Sequence, residues 1–247
     1  YTELAVLVTT LERRGFARPR EVERVLGKFT NLFLLHRLSL AIFSSVYAFV
    51  RKLGARTARL WPSVLRELQR ALALLPLIRA ELDRAVAPVL LQTDASATGF
   101  GVVYTHSIPP ADLRREVSRP RGAMSKGADP WTVARALGTT FTAPIDPHAY
   151  RVAARGNFQG HARGSHINCK ELTAVITALR WASRARRTRR CRLVLQSDSA
   201  VVVGALRKGR SSKPGLLVRL RRLAAITLAE RITLVGRYVP TDRNCLL

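Results

Sequence analysis

The sequence of 247 residues predicts an α/β fold, in which helices pack on one mixed five-stranded sheet after an all-helical segment. Two observations predict it. Apolar residues recur at helical spacing through residues 1–86, and from residue 87 short apolar runs alternate with helical patterns. The apolar fraction of 47% is enough to build a core in both parts. We therefore divide the chain into a helical segment, 1–86, and an α/β domain, 87–247.

Two amphipathic stretches make up the helical segment. The apolar stripe of the first consists of Val22, Val25, Leu26, Phe29, Leu32 and Phe33. The stripe of the second consists of Leu65, Leu68, Leu72 and Leu75. Pro62 suits the first turn of a helix, whereas Pro76 should bend or divide one.

The α/β domain begins with two strands joined by a glycine-rich turn, in the sequences APVLLQTDA and GFGVVYT. Residues 105–148 are rich in Pro, Gly, Arg and Ser and have little periodicity. We interpret them as a long insertion with one short helix near Trp131–Leu137.

After the insertion, the pattern predicts the order strand, helix, strand, helix, helix, strand. The strands are expected in YRVAARGNFQG, CRLVLQSDS and RITLVGRYVP, and the helices in NCKELTAVITALRWASRA, SAVVVGALRKG and GLLVRLRRLAAITLAE. The first of these helices has an apolar stripe of Leu172, Val175, Ile176 and Leu179.

Three carboxylates stand at the ends of predicted elements. Asp94 ends the first strand, Glu171 lies in the first turn of a helix, and Asp198 ends a buried strand. If the first and fourth strands are adjacent and parallel, Asp94 and Asp198 lie side by side and Glu171 reaches them from the helix. Each residue also has a structural alternative: an Asx-turn for Asp94, a capping box for Glu171, and for Asp198 a helix N-cap made by Asp198 or Ser199.

Carboxylates this close repel one another unless a cation lies among them. An all-oxygen cluster suits Mg²⁺, and two such ions would support phosphodiester hydrolysis. On this interpretation, Gly99 and Gly101 keep the first hairpin slim where a nucleic-acid backbone approaches.

The charge balance indicates a polyanionic partner. Lys and Arg number 42 against 16 Asp and Glu, a net charge of +26, and nucleic acid is the first candidate. The alternative is an arginine-rich composition that follows from GC-rich coding. Residues 184–192, RARRTRRCR, form either a phosphate contact or a solvated loop on the face away from the acids.

The three cysteines are widely spaced, which predicts neither a zinc site nor a disulfide framework. No apolar run reaches the length of a membrane span, because His36 and Arg37 interrupt the longest one. The first residue is Tyr1 rather than Met, so we expect a piece of a longer chain.

Four segments together resemble the ribonuclease H domain of retroelement polyproteins. They are TDASATGFGVVY, HINCKELTAVITALRW, LVLQSDSAVVVGAL and RYVPTDRNCLL, in the order of that family. The resemblance covers about residues 88–247 and is nearest to DIRS-like or other non-viral elements. The helical segment resembles the thumb and connection helices that follow a reverse transcriptase palm, which is itself outside this chain.

The resemblance implies hydrolysis of the RNA strand of RNA–DNA hybrids, with two Mg²⁺, or Mn²⁺ in their place, held by four acids. Asp94, Glu171 and Asp198 match three of them. Asn244 matches the asparagine that precedes the fourth, but Leu247 ends the chain. We therefore expect the fourth acid to be missing or to lie past Leu247, and activity to be incomplete.

Further residues are expected to contact the hybrid. They are Gln196, Ser197, Arg207, Lys208, Arg210, Lys213 and Asn244. For Gln196 the alternative is a plain strand residue.

A second function class is a catalytically inactive hybrid-binding remnant or connection domain. The life cycle of such an element implies a nuclear or cytoplasmic location, and the expected partners are the hybrid and an upstream reverse transcriptase palm, without a membrane.

Overall fold

The computed structural model describes residues 1–81, 83–118, 146–241 and 244–246. It divides the chain into two compact units, residues 1–81 and 82–247. The sequence placed the boundary between residues 86 and 87, at the start of the first long strand, which begins at Val86.

The first unit is mainly helical. Its elements are α1 (Thr2–Arg14), β1 (Phe16–Ala17), α2 (Pro19–Phe33), α3 (Ser45–Leu53), β2 (Ala58–Arg59) and α4 (Pro62–Leu74). Short 3₁₀ segments follow α2 at Leu34–Ile42 and α4 at Leu75–Leu77. As predicted, Pro62 begins a helix and Pro76 lies just after α4 has ended.

The core of the helical unit is built on three phenylalanines. Phe29, Phe33 and Phe43 contact one another with ring centroids 5.7–6.0 Å apart. The predicted stripe of α2 is buried except for Leu32, which is 39% exposed. On α4, Leu68 is fully buried and the other predicted residues of its stripe are only partly buried.

The stretch Pro19–Ile42 is long and apolar enough to cross a membrane by length and composition alone, with a mean hydropathy of 1.2. This differs from the expectation that no run reaches that length. The stretch bends at His36 (φ −141°, ψ 80°), and Phe29 and Phe33 are fully buried. A core helix passes the same test, and 44% of the apolar window is buried within the protein.

The second unit contains the predicted strands and helices in the predicted order. The strands are β3 (Val86–Ala95), β4 (Gly99–Thr105), β5 (Arg151–Asn157), β6 (Arg192–Ser197) and β7 (Thr233–Tyr238). The helices are α5 (Pro110–Ser118), α6 (Ile167–Ala182), α7 (Ala200–Lys208) and α8 (Pro214–Ala229). The four residues of the predicted stripe on α6 are all buried.

The five strands form one mixed sheet in the order β5-β4-β3-β6-β7. β5, β4 and β3 pair antiparallel, whereas β3 pairs parallel with β6 and β6 with β7. The predicted fold class, a mixed five-stranded sheet flanked by helices after an N-terminal helical segment, is confirmed.

Helices cover both faces of this sheet. Leu113 of α5 packs with Leu90 and Val194 on one face. Trp181 of α6 packs on Tyr104, with ring centroids 4.5 Å apart. Tyr104 of β4 is the register partner of Leu91, the residue that follows Leu90 in β3. Because neighbouring residues of a strand point to opposite faces, α5 and α6 lie on opposite sides.

Helix α5 lies in the predicted insertion, where the sequence indicated no helix at that position. It is joined to β7 by a buried ion pair between Glu116 and Arg237, with Oε2 and Nε 3.5 Å apart. The helix predicted near Trp131–Leu137 lies outside the described residues.

Candidate metal centre

Parallel pairing of β3 with β6 brings two of the three predicted acids together. Thr93 is the register partner of Ser197, so the residues that follow them, Asp94 and Asp198, stand next to each other at the carboxyl ends of the two strands. Both are half-buried. The first and fourth strands are adjacent and parallel, which was the condition for Asp94 and Asp198 to lie side by side.

Glu171 completes the cluster from α6. Its side chain is 5% exposed, and one carboxylate oxygen from each of Asp94, Glu171 and Asp198 lies within 4.8 Å of the others. Glu171 is the fifth residue of α6, in the second turn of the helix rather than the predicted first turn. This position allows the side chain to reach the ends of the strands that α6 covers.

The environment of the cluster opposes ionisation. Burial, and then the charges of Asp94 and Asp198, raise the pKa of Glu171 to about 8, although the Ala95 N–H group favours the ionised form. The pKa of Asp94 is raised by burial and then by the charge of Asp198. Three carboxylates so close together carry an unfavourable concentration of negative charge.

A divalent cation fits these residues. Among the described residues, Oε2 of Glu171 is buried and has no hydrogen-bond partner. A buried carboxylate oxygen in that state lacks compensation for its lost hydration. A hard cation that takes oxygen ligands would supply the compensation and offset the repulsion among the three carboxylates.

The structural alternatives for the acids do not explain their positions. The N-cap of α6 is His166, whose Nδ1 lies 3.2 Å from the backbone N of Asn168, so Glu171 is not part of a capping box. The N-cap of α7 is Ser199 rather than Asp198. Asp94 accepts a hydrogen bond from the next N–H group, that of Ala95, at 2.7 Å.

The two hairpin glycines have a packing role within the protein. A Cβ on Gly99 would lie 3.0 Å from the carbonyl oxygen of Gly156 in β5. A Cβ on Gly101 would lie 2.6 Å from Cδ2 of Leu246. Since Gly101 pairs with Asp94, the segment 244–246 passes beside the strand residue opposite the acid.

Lys170 is a buried charged residue beside the site that the sequence did not reveal. It is 5% exposed, its ammonium group donates to the carbonyl of Ala97 in the β3–β4 turn, and it lies 5.5 Å from the ring centroid of Phe158. Lys170 therefore ties the hairpin after Asp94 to the helix that carries Glu171. The only signal in the sequence was a lysine next to Glu171 in the helix.

A buried polar network lies behind the acids. Gln92 donates to Oε1 of Gln196 at 2.7 Å and to the Tyr150 hydroxyl at 3.1 Å, and it accepts from the Cys245 N–H group at 3.0 Å. Gln92 and Gln196 are each 1% exposed. A polar residue within the apolar run of β3 was the signal for this network.

Three residues that were predicted to contact nucleic acid are buried in the structure. Gln196 is a residue of β6 and accepts a hydrogen bond from Gln92 in the polar network, as expected of a plain strand residue. Ser197 is 0% exposed, and its hydroxyl accepts from the Ser199 N–H group at 3.2 Å. Asn244 is 5% exposed, and its amide atoms have no hydrogen-bond partner among the described residues. All three side chains face the protein interior.

The four predicted basic contacts lie at the end of α7 and in the segment that joins it to α8, here together called the basic loop. Lys208, Arg210 and Lys213 are exposed, whereas Arg207 is half-buried. The loop leads into α8, which packs on α6.

A close contact places the end of this loop beside the start of α6. A Cβ on Gly215, in the first turn of α8, would lie 2.8 Å from Sγ of Cys169, which precedes Glu171 by two residues. The basic loop therefore reaches the part of α6 that carries Glu171.

The arginine-rich segment 184–192 does not lie beside the three acids. It connects the end of α6 to the start of β6, whereas Asp198 follows the end of β6. The segment is thus at the end of the sheet opposite the carboxylates, so it lies away from the three acids.

Comparisons with known proteins assign no family. No family model matches the chain, and a search of curated proteins found no significant match. Two solved structures are similar in part. LC11-RNase H1, isolated from compost by a metagenomic approach, is 15% identical, with a TM-score of 0.39 over 64% of this chain and 89% of that one.

The second is the foamy viral protease-reverse transcriptase in complex with an RNA/DNA hybrid. It is 9% identical, with a TM-score of 0.29 over 95% of this chain and 47% of that one.

Proposed function

We propose that the chain hydrolyses the RNA strand of RNA–DNA hybrids in a reaction that depends on Mg²⁺. The observation that carries the proposal is the close approach of Asp94, Glu171 and Asp198, whose ligand oxygens lie within 4.8 Å of one another. Such a cluster is costly for a folded protein unless a cation occupies it. The resemblance of four sequence segments to retroelement ribonuclease H domains supports the same function.

Asp94, Glu171 and Asp198 would hold the divalent cations. When bound, Mg²⁺ lowers the pKa of a ligated water and neutralises charge on the leaving oxygen of a phosphodiester. Asp94 and Asp198 stand at the ends of two paired central strands, which fixes their spacing. Burial of Glu171 excludes water from one side of the cluster.

The exposed basic loop would bind the substrate. Lys208, Arg210 and Lys213 offer charged donors to phosphate oxygens, and such contacts position a duplex without reading its sequence. The approach of this loop to the start of α6 favours contact with a duplex whose scissile phosphate lies at the three acids.

The wider context belongs to the same proposal. The order of a helical unit followed by the α/β unit supports an origin in a DIRS-like or other non-viral retroelement, downstream of a reverse transcriptase palm. The helical unit would then correspond to thumb or connection helices.

Cleavage of an end-labelled hybrid tests the function. The chain is incubated with an RNA–DNA hybrid in Mg²⁺ or Mn²⁺, with single-stranded RNA and a DNA duplex as parallel substrates. We expect cleavage of the RNA strand of the hybrid, reduced on the order of 100-fold or more in Asp94→Asn.

The matched control is Asp112→Asn, which removes a carboxylate from the surface ion pair with Arg115 on α5. It should cleave as the unmodified chain does. Equal cleavage by Asp94→Asn would contradict the assignment of the acids. Tight binding of the hybrid without any cleavage would favour the alternative, an inactive hybrid-binding remnant or connection domain.

A further inference from the structure

The end of the sheet opposite the carboxylates carries a dense arginine surface. β6 begins at Arg192 and Asp198 follows its last residue. At about 3.3 Å per strand residue, the two ends are roughly 20 Å apart. We define the arginine surface as the exposed residues Arg184, Arg186, Arg187, Arg190 and Arg231.

The loop that carries most of this surface is held in one conformation by its own contacts. The hydroxyl of Thr188, which is 4% exposed, donates to the carbonyls of Ala182 and Ala185. Nε of Arg189 donates to the carbonyl of Ser183 at 2.7 Å. The threonine faces inward, so the neighbouring Arg186 and Arg187 project outward.

A second loop extends the surface. The N–H group of Arg190 donates to the carbonyl of Glu230 at 3.0 Å, which places the α8–β7 turn and its exposed Arg231 beside the first loop. The Glu230 carboxylate is engaged by Nε of Arg189 at 3.0 Å.

Little negative charge balances this surface. Among the described residues, these five arginines form no ion pair, and Glu230 beside them is already engaged by Arg189. Like charges held together in this way destabilise the folded state unless an anion neutralises them.

The chemistry of the surface fits a phosphate backbone. A guanidinium group can donate two parallel hydrogen bonds to phosphate oxygens. The residues interleaved with the arginines are Ala185, Thr188 and Cys191, so the loop offers no aromatic ring for base stacking and no large apolar anchor for a membrane.

We propose that the arginine surface is a second nucleic-acid-binding site, which holds the phosphate backbone of a segment distinct from the one at the three acids. It binds without sequence preference. The proposal goes beyond the hydrolytic function and does not depend on it, because none of the three acids takes part.

Salt-dependent binding of a DNA duplex tests the site. The variant Arg184→Gln, Arg186→Gln, Arg187→Gln removes three charges whose side chains have no partner among the described residues. Fluorescence anisotropy with a duplex of about 20 base pairs is measured between about 50 and 200 mM salt without divalent ions. We expect the slope of log K against log salt to be less steep by about 2 to 3, and at least tenfold weaker binding at low salt.

The matched control removes the same charge from the helical unit: Arg24→Gln, Arg66→Gln, Arg70→Gln, all exposed residues. It should leave the slope nearly unchanged. Hybrid cleavage by Asp94→Asn and duplex binding by the loop variant are measured separately, so that failure of hydrolysis and failure of this site are distinguished. Arg186→Glu with an unchanged melting temperature provides a single-site variant, and weaker duplex binding by it would support the site.

Three results would overturn the proposal. The first is an equal loss of slope in both triple variants, which would mean that total charge alone governs binding. The second is an unchanged slope in the loop variant. The third is a loss of binding to anionic phospholipid vesicles with duplex binding intact.

Discussion

Replacing Glu171 by glutamine should stabilise the α/β unit at high pH when divalent cations are absent. The glutamine has nearly the same shape and removes one of three carboxylates that lie within 4.8 Å of one another. At that separation each pair of charges repels by about 3.5 kcal/mol for an effective dielectric constant of about 20. The variant removes two of these repulsive pairs.

The pKa of Glu171 gives the pH range. It is about 8 in the folded chain against 4.5 in the unfolded chain. The folded state therefore binds more protons between these values, and its stability falls as pH rises from about 4.5 to about 8. This pKa difference corresponds to at most about 5 kcal/mol of folding stability, which is fully lost above pH 8. Glu171→Gln should recover about 2 kcal/mol or more at about pH 9 and nothing at about pH 4.

Urea unfolding followed by the fluorescence of Trp181 measures this difference. Trp181 lies in the α/β unit against Tyr104. The substitutions Trp61→Phe and Trp131→Phe remove the other two tryptophans. Millimolar Mg²⁺ should stabilise the unmodified protein at high pH and have a much smaller effect on Glu171→Gln, because one ligand is lost. Glu230→Gln serves as a carboxylate control at the opposite end of the sheet.

The reasoning is refuted if Glu171→Gln is less stable than the unmodified protein by the same amount at both pH values. That result would mean that the Glu171 carboxylate is compensated within the metal-free fold. A stabilisation of Glu230→Gln equal to that of Glu171→Gln would likewise assign the effect to net charge rather than to the cluster.

Further predictions concern the buried polar groups. Glu116→Gln should destabilise the α/β unit by about 3–5 kcal/mol in urea unfolding, because it leaves the charge of Arg237 buried, whereas Asp112→Asn on the same helix should change it by less than about 1 kcal/mol. Gln92→Leu should cost about 2–3 kcal/mol in the same assay, since its three hydrogen bonds to Gln196, Tyr150 and Cys245 are lost. Glu67→Gln should destabilise the helical unit by about 1–2 kcal/mol, as measured by the fluorescence of Trp61, because its carboxylate accepts from three N–H groups at the start of α3 at 2.8–3.0 Å. Little change in any of these variants would contradict the corresponding contact.

Much of the site followed from local sequence patterns. The alternation of short strands and helices predicted the element order, and this order with parallel pairing predicted that Asp94 and Asp198 meet. Periodicity also predicted the buried stripe of α6, because 3.6-residue spacing alone decides which side chains share a face.

Other features depended on contacts between distant segments. Helix α5 forms in a segment rich in Pro and Gly because Leu113 packs on β3 and β6 and Glu116 pairs with Arg237. The burial of Gln196 likewise depends on Gln92, which is 104 residues away in the chain.

The sequence by itself determined the composition and order of this protein: a strongly basic chain, a helical segment before an α/β domain, and three acids at element ends. Tertiary structure decided which of its charged and polar residues act together. It gathered the acids at one end of the sheet, turned Gln196, Ser197 and Asn244 inward, and placed the arginine-rich loop at the other end. The reason is physical: element type follows from spacing over a few residues, whereas burial and proximity follow from strand pairing, which joins residues about a hundred positions apart.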